Sequence, residues 1–146
     1  MIYQQSLVLM LQKEVAERIV TTAPDMSLLS LSVQYYGTPE IIRVVPASDF
    51  WPAPAVDSAI LRFSYDRPRP TAASLKADKQ FFHLARIAFS AKRKMLKNNL
   101  LAGLKIELPV LEKAMAQAEI SPKARAEDLT LEQWQFLVAA LGNFML

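Results

Sequence analysis

The sequence predicts an α/β unit followed by an all-α unit. Three observations support this fold class. Strand-like apolar segments occur only in the first 65 residues, where they alternate with helical patterns. A proline-containing stretch follows at 66–71, and every later segment has helical periodicity. With 146 residues, of which 52% are hydrophobic and 21% charged, the chain has the composition of a folded globular protein that can bury a core.

The first unit is predicted to contain three strands and two helices. The continuous apolar run Ser6–Leu11 is typical of a strand buried on both faces, as in a parallel sheet. An amphipathic helix follows over Gln12–Val20, and a second helix begins at 25–27 and ends at Gly37. Two further strands, 40–45 and 56–65, are joined by a proline-rich connection that is too long for a tight hairpin.

A linker is predicted at 66–71, where two X-Pro units favour extended backbone. The domain boundary therefore falls after residue 66, giving domains 1–66 and 67–146. The helices predicted beyond the linker span 76–91, 94–104 and 109–118. Thr130 and Gln133 form a capping box that begins a last helix.

The composition excludes several classes of site. The chain has no cysteine, which removes disulfides, thiol nucleophiles and cysteine-ligated metals. Its single histidine, His83, is expected to be a structural or surface residue. Gly37, Gly103 and Gly142 are too far apart to form a glycine-rich loop. No apolar run reaches the roughly 18 residues of a membrane span, and no signal peptide is evident, so a cytoplasmic location is expected.

Charge is distributed unevenly along the chain. Residues 1–66 carry four basic and seven acidic side chains, whereas residues 67–146 carry thirteen basic and seven acidic ones. A basic second half indicates a polyanionic partner. Its densest part contains Lys92, Arg93, Lys94 and Lys97, with Arg86 a few residues earlier. Such a cluster can bind nucleic-acid phosphates, but it can equally be the solvated face of a helix.

Two further segments carry side chains suited to a binding site. Phe50 and Trp51 lie on the proline-stiffened connection between strands, where aromatic rings can stack on a base. The alternative is that both rings pack back onto the core. Residues 12–14 (QKE) follow the first strand, where open α/β sheets bind ligands. Glu14 can be a base there, or an exposed residue that complements the helix dipole.

Five segments in the same order resemble the small-subunit ribosomal RNA adenine dimethyltransferases of the KsgA type. Together they extend over almost the whole chain. The segments are 9–18 (LMLQKEVAER), 29–36 (LSLSVQYY), 50–59 (FWPAPAVDSA), 89–100 (FSAKRKMLKNNL) and 120–129 (ISPKARAEDL).

This resemblance implies that 1–66 is the C-terminal remnant of a Rossmann-like methyltransferase domain and that 67–146 is a helical RNA-binding domain. Family members use S-adenosylmethionine to dimethylate two adjacent adenosines of small-subunit rRNA during ribosome biogenesis. By the resemblance, Phe50 contacts the flipped target adenine. The residues that face RNA phosphates are Arg86, Lys92, Arg93, Lys94 and Lys97.

The sequence also departs from the family pattern. It contains neither the glycine-rich cofactor loop nor the Asn-Leu-Pro-Tyr catalytic motif. We therefore expect no catalytic residue, cofactor or metal in this chain, and no activity from it alone. We also expect the first strand to lack its parallel neighbour, to expose an apolar edge and to promote self-association.

Two alternatives belong to other functional classes. One is a non-catalytic RNA-binding or ribosome-binding module that uses the basic helical domain. The other is a fragment of an Erm-type 23S rRNA methyltransferase, a family that shares the FxPxP loop. The basic segment 92–94 and the segment 125–127 (RAE) favour the small-subunit enzyme.

Overall fold

A computed structural model describes residues 6–67 and 71–145. The chain divides into two compact units, Met1–Thr21 with Leu29–Pro68 and Thr22–Leu28 with Arg69–Leu146. The strands are β1 (Ser6–Gln12), β2 (Gly37–Val45) and β3 (Ser58–Tyr65). The α-helices are α1 (Lys13–Val20), α2 (Leu28–Gln34), α3 (Ala72–Ala88), α4 (Leu96–Gly103), α5 (Leu108–Gln117) and α6 (Leu131–Leu141).

The first unit is built on a three-stranded antiparallel sheet of order β1-β3-β2. Leu61 of β3 is in register with Leu9 on one side and Ile41 on the other. Because side chains alternate along a strand, these three apolar residues share one face of the sheet. The helix α1 covers that face with Ala16 and Ile19, which pack in one apolar cluster with Leu61.

The edge strand β1 is more exposed than its apolar run alone predicts. Among the described residues it pairs with β3 alone, and Val8 and Met10 are 60% and 54% exposed. Leu7 and Leu9, on the opposite face, are also exposed. The prediction of burial on both faces is therefore wrong for this chain. An apolar run shows which side chains a strand could bury, but burial of both faces requires a layer packed on each face of the sheet.

Gly37 has a different role from the predicted helix terminator. The helix α2 ends at Gln34, and Gly37 is the first residue of β2, opposite Tyr65 of β3. A Cβ at this position would overlap the carbonyl oxygen of Ser64. The close approach of the two backbones, rather than a left-handed conformation, is what requires glycine here.

In the second unit α3 packs against α4 and α6, and α5 packs against the same two helices. Trp134 of α6 is fully buried, and its ring stacks on Phe89 with the centroids 5.7 Å apart. The other large, fully buried side chains of this unit are Phe81, Leu84, Leu96, Leu100, Leu111, Leu129, Leu137 and Leu141. The short segment 22–28 belongs to this unit, since the backbone N–H of Met26 donates to the carbonyl of Glu127 (3.1 Å).

Two capping boxes set where helices begin. The predicted box before α6 is present, since Thr130 Oγ1 accepts from the N–H of Gln133 and Gln133 Oε1 accepts from the N–H of Thr130 (3.2 and 3.0 Å). The helix α3 begins at Ala72 rather than at the predicted residue 76. Thr71 and Ser74 form a reciprocal box there, in which serine replaces the usual glutamate or glutamine.

Part of the predicted linker, 68–70, lies outside the described residues. The assignment of 1–66 and 67–146 as functional domains stays a prediction. Within the described part of the chain, no helix is both long enough and apolar enough to cross a membrane.

Candidate functional site

The aromatic segment lies in a loop at one end of the sheet. Gln12 and Val45 are both in register with Ser58. The end of β1, the end of β2 and the start of β3 therefore meet at this end of the sheet. The loop 46–57 joins β2 to β3 there. Asp57 holds it closed, because its Oδ1 accepts from the N–H of Ala47 (3.0 Å).

The same Asp57 also connects the loop to the start of α1. Its carbonyl oxygen accepts from the N–H of Lys13 (2.9 Å). A groove of about 380 Å³ runs between the two segments and is lined by Gln12, Lys13, Glu14, Glu17, Ala55, Val56 and Asp57. The segments 12–14 and 50–57, which are separate candidate sites in the sequence, therefore meet at one end of the sheet.

The two aromatic residues of the loop differ in exposure. Trp51 is 98% exposed, whereas Phe50 is half-buried. The N–H of Phe50 donates to the carbonyl of Ala47 (3.3 Å), which completes a short 3-10 turn over Ala47–Asp49. The alternative in which both rings pack onto the core is wrong for Trp51. A fully exposed indole on an anchored loop can stack on a base without first leaving the core.

The basic residues of the second unit lie mainly in a connector between two helices. The helix α3 ends at Ala88 and α4 begins at Leu96, so Lys92, Arg93 and Lys94 are exposed residues of the intervening turn. The predicted helix over 94–104 therefore begins two residues later than expected. We call residues 89–95 the basic connector. Arg86 and Lys97 flank it, in the last turn of α3 and the first turn of α4.

Asn99 holds the connector in place. Its side chain is buried, and Nδ2 donates to the carbonyl oxygens of Ala88 (2.7 Å) and Ala91 (3.1 Å). The N–H of Lys94 also donates to the carbonyl of Ala91 (3.0 Å), which tightens the turn. Asn99 was not predicted to be a functional residue, although it lies in segment 89–100, which resembles the family. A buried amide that bonds across eleven residues leaves no periodic signal.

The connector carries concentrated positive charge without neutralising partners. Residues 71–105 contain eight lysines and arginines and a single acidic residue, Asp78. Within the described ranges, Arg86, Lys97 and the three basic residues of the connector make no ion pair with any carboxylate. Like charges held this close repel one another, and an anionic partner relieves that repulsion. This arrangement is suited to phosphate groups.

The described residues offer little for catalysis. They contain no group of three His, Asp or Glu side chains that could hold a metal ion. His83 is exposed on α3. The residues present also do not fit an S-adenosylmethionine site, because β1 passes directly into α1 and the three glycines stand on separate elements. No glycine-rich turn that would let a cofactor approach the backbone is formed by the described chain.

Comparisons with known proteins agree on one family. The model of the ribosomal RNA adenine dimethylase family matches residues 2–141. Ribosomal RNA small subunit methyltransferase A of Dehalococcoides mccartyi (strain CBDB1) is 44% identical over 133 residues, which are 91% of this chain and 45% of the relative. The enzyme of the same name from Nostoc sp. (strain PCC 7120 / SAG 25.82 / UTEX 2576) is 42% identical over 139 residues, 94% of this chain and 49% of the relative.

Solved structures show the same fold. The 23S rRNA methyltransferase ErmE matches with a TM-score of 0.71 at 23% identity, covering 94% of this chain and 55% of that chain. A dimethyladenosine transferase from Plasmodium falciparum matches with a TM-score of 0.69 at 23% identity, covering 95% and 57%. The chain spans about half the length of the curated relatives it matches. On the extent of the family match and the identity to these relatives, the chain belongs to the ribosomal RNA adenine dimethylase family.

Proposed function

We propose that this chain is the C-terminal, RNA-holding part of a small-subunit rRNA adenine dimethyltransferase. The whole enzyme would transfer methyl groups from S-adenosylmethionine to the exocyclic amino nitrogens of two adjacent adenosines in small-subunit rRNA. The single observation that carries the proposal is the unneutralised basic connector. The proposed setting is the cytoplasm, on a precursor of the small ribosomal subunit.

The connector would bind the phosphate backbone of the RNA. Lys92, Arg93 and Lys94 are exposed, and Asn99 fixes the turn that presents them. A fixed turn loses less conformational entropy on binding than a free chain does. Phosphate contacts of this kind position an RNA without reading its sequence, so the connector supplies affinity and orientation.

The aromatic loop would contact the target base. Phe50, which the family resemblance assigns to the flipped adenine, is half-buried, and the exposed indole of Trp51 lies next to it. Stacking of a base on an aromatic side chain contributes roughly 1–3 kcal/mol. Asp57 anchors the loop, so its two aromatic residues remain at the end of the sheet where β1 ends.

Methyl transfer would need groups that this chain does not supply. The described residues form no glycine-rich turn for S-adenosylmethionine, and the sequence has no Asn-Leu-Pro-Tyr motif. The cofactor is therefore proposed for the whole enzyme only. The proposed role of this chain is to bind RNA, with neither cofactor binding nor methylation when it acts alone.

Replacing Lys92, Arg93 and Lys94 together by alanine is expected to weaken RNA binding. Each lost phosphate contact makes the slope of log K against log salt concentration shallower by about 0.7–0.9, so the triple variant should lose about 2.1–2.7 of this slope. The measurement is filter binding of the chain to a fragment of small-subunit rRNA containing two adjacent adenosines near its 3′ end, at several salt concentrations.

The matched control removes the same charge elsewhere in the helical unit. Lys105, Lys113 and Lys123 are exposed and lie outside the connector, and their triple alanine variant should lose much less of the slope. Equal losses in the two variants would show that net charge alone drives binding and would contradict the proposal. Preference for a 23S rRNA fragment over the small-subunit fragment would instead support the Erm-type alternative.

A second copy of this chain is a further proposed partner, bound through β1. The strand presents exposed Val8 and Met10 beside an edge that has no partner among the described residues. Replacing both by lysine should shift the sedimentation coefficient at micromolar concentration towards the monomer, because charged edge strands resist pairing. Val110→Lys on α5 is the control. A single monomer peak for the unmodified chain would refute self-association.

A further inference from the structure

A second basic surface runs along α3, away from the connector. Lys76, Lys79, His83 and Arg86 are all exposed on this helix. At about 100° per residue, these positions fall within an arc of about 80° around the helix axis. We call this row the α3 stripe. At about 1.5 Å per residue it is about 15 Å long, and its last member, Arg86, adjoins the connector.

The stripe borders a concave surface. A depression of about 430 Å³ is lined by Lys76, Lys79, Gln80, His83, Arg86 and Met145. Gln80 Nε2 donates to the carbonyl of Gly142 (3.0 Å), so the turn after α6 is fixed as one wall of the depression. Met145 is only 8% exposed, and it is the apolar residue of the lining. Cationic side chains around a shallow depression are suited to the phosphate groups of a nucleic acid.

The charges of the stripe are available to a ligand. Across the described ranges, none of its four side chains makes an ion pair or a hydrogen bond to another side chain. Asp78 is the single acidic residue of α3, and it lies about 100° around the helix from Lys79. The stripe therefore presents cations along most of three helical turns without an alternating carboxylate.

From this geometry we propose that the α3 stripe is a second RNA contact, which binds the phosphate backbone of a strand running along α3 and continuing to the connector. The inference rests on the proposed function, since it extends the same RNA interface. It adds Lys76, Lys79 and His83 as contact residues and gives the bound strand a direction along the helix axis. Lys76 and Lys79 supply charge, and His83 supplies a hydrogen-bond donor.

The test compares Lys76→Ala/Lys79→Ala with Lys113→Ala/Lys123→Ala, two variants with the same change in net charge. The probe is the small-subunit rRNA fragment used above, at 50 and 200 mM salt. Two lost phosphate contacts should lower the salt slope by about 1.4–1.8, so the loss of affinity between these salt concentrations should shrink roughly tenfold. The control variant should behave as the unmodified chain does.

Acetylation of lysines in the unmodified chain gives a second readout that does not depend on a variant folding. Bound RNA should protect Lys76 and Lys79 and leave Lys113 and Lys123 reactive. If the stripe variant matches its control while the connector variant loses affinity, this inference fails and the proposed function stands. If the unmodified chain does not bind the fragment, both fail. Binding to phosphatidylserine vesicles is measured in parallel. If the stripe variant keeps its affinity for RNA but loses its affinity for these vesicles, the surface serves a membrane and the inference is overturned.

Discussion

Trp134→Ala is expected to destabilise the helical unit by about 3–5 kcal/mol, the usual cost of removing a buried aromatic side chain from a core. Trp134 is fully buried, and its ring stacks on Phe89, the first residue of the basic connector. The variant loses this packing and leaves a cavity between α6 and the start of the basic connector. Urea unfolding followed by circular dichroism measures the change.

Phe136→Ala is the matched control, because Phe136 is an exposed aromatic residue on the same helix. Its loss should change the free energy of unfolding by much less. Trp134→Phe should fall between the two. Phenylalanine keeps most of the buried ring, and it removes an indole N–H for which the described residues provide no acceptor. A Trp134→Ala variant as stable as Phe136→Ala would contradict the proposed core.

Asn99→Ala is expected to cost about 2–3 kcal/mol of stability and to weaken RNA binding. The alanine removes two hydrogen bonds and leaves the buried carbonyl of Ala88 without its donor, a loss of about 1–3 kcal/mol, whereas the carbonyl of Ala91 keeps the N–H of Lys94. The basic connector then loses one of its anchors. Unfolding in urea and filter binding to the rRNA fragment measure the two effects.

Asn98→Ala provides the comparison, since the neighbouring asparagine is exposed and makes no side-chain hydrogen bond in the described chain. It should leave stability and RNA binding nearly unchanged. If Asn99→Ala lowered stability but left RNA affinity untouched, Asn99 would be a core residue without a role in positioning the connector. That result would show that Asn99 contributes to the stability of the fold and does not contribute to RNA binding.

The sequence predicted the fold well where local chemistry determines it. The capping box of Thr130 and Gln133 is an interaction between near neighbours, and the helix it begins is present. The start of α3 was missed because Ser74 takes the place of the glutamate or glutamine that identifies such a box. The apolar run of β1 predicted a strand correctly. Its exposure depends on neighbours across the sheet, which a local pattern does not contain.

The candidate site was predictable in composition more than in geometry. The family resemblance and the charge count both singled out Lys92, Arg93 and Lys94. Lys92 and Arg93 were predicted between two helices, and the structure has them there. Lys94 was predicted to begin the second helix but lies in the turn, because lysine is favourable in helices and the segment after it is helical. The turn depends on Asn99, whose amide bonds to backbone eight and eleven residues earlier. The exposure of Trp51 likewise depends on how Asp57 closes the loop.

The contrast between the two tryptophans has a practical consequence for spectroscopy. Trp51 is almost fully exposed in the sheet unit, and Trp134 is fully buried in the helical unit. Trp51 should therefore emit at longer wavelength and be quenched by acrylamide, while Trp134 should emit at shorter wavelength and be protected. A nucleic-acid base that stacks on the loop would dim only the long-wavelength component. The chain thus carries one tryptophan in each unit, and occupancy of the loop can be followed separately from unfolding of the helices when tryptophan is excited selectively.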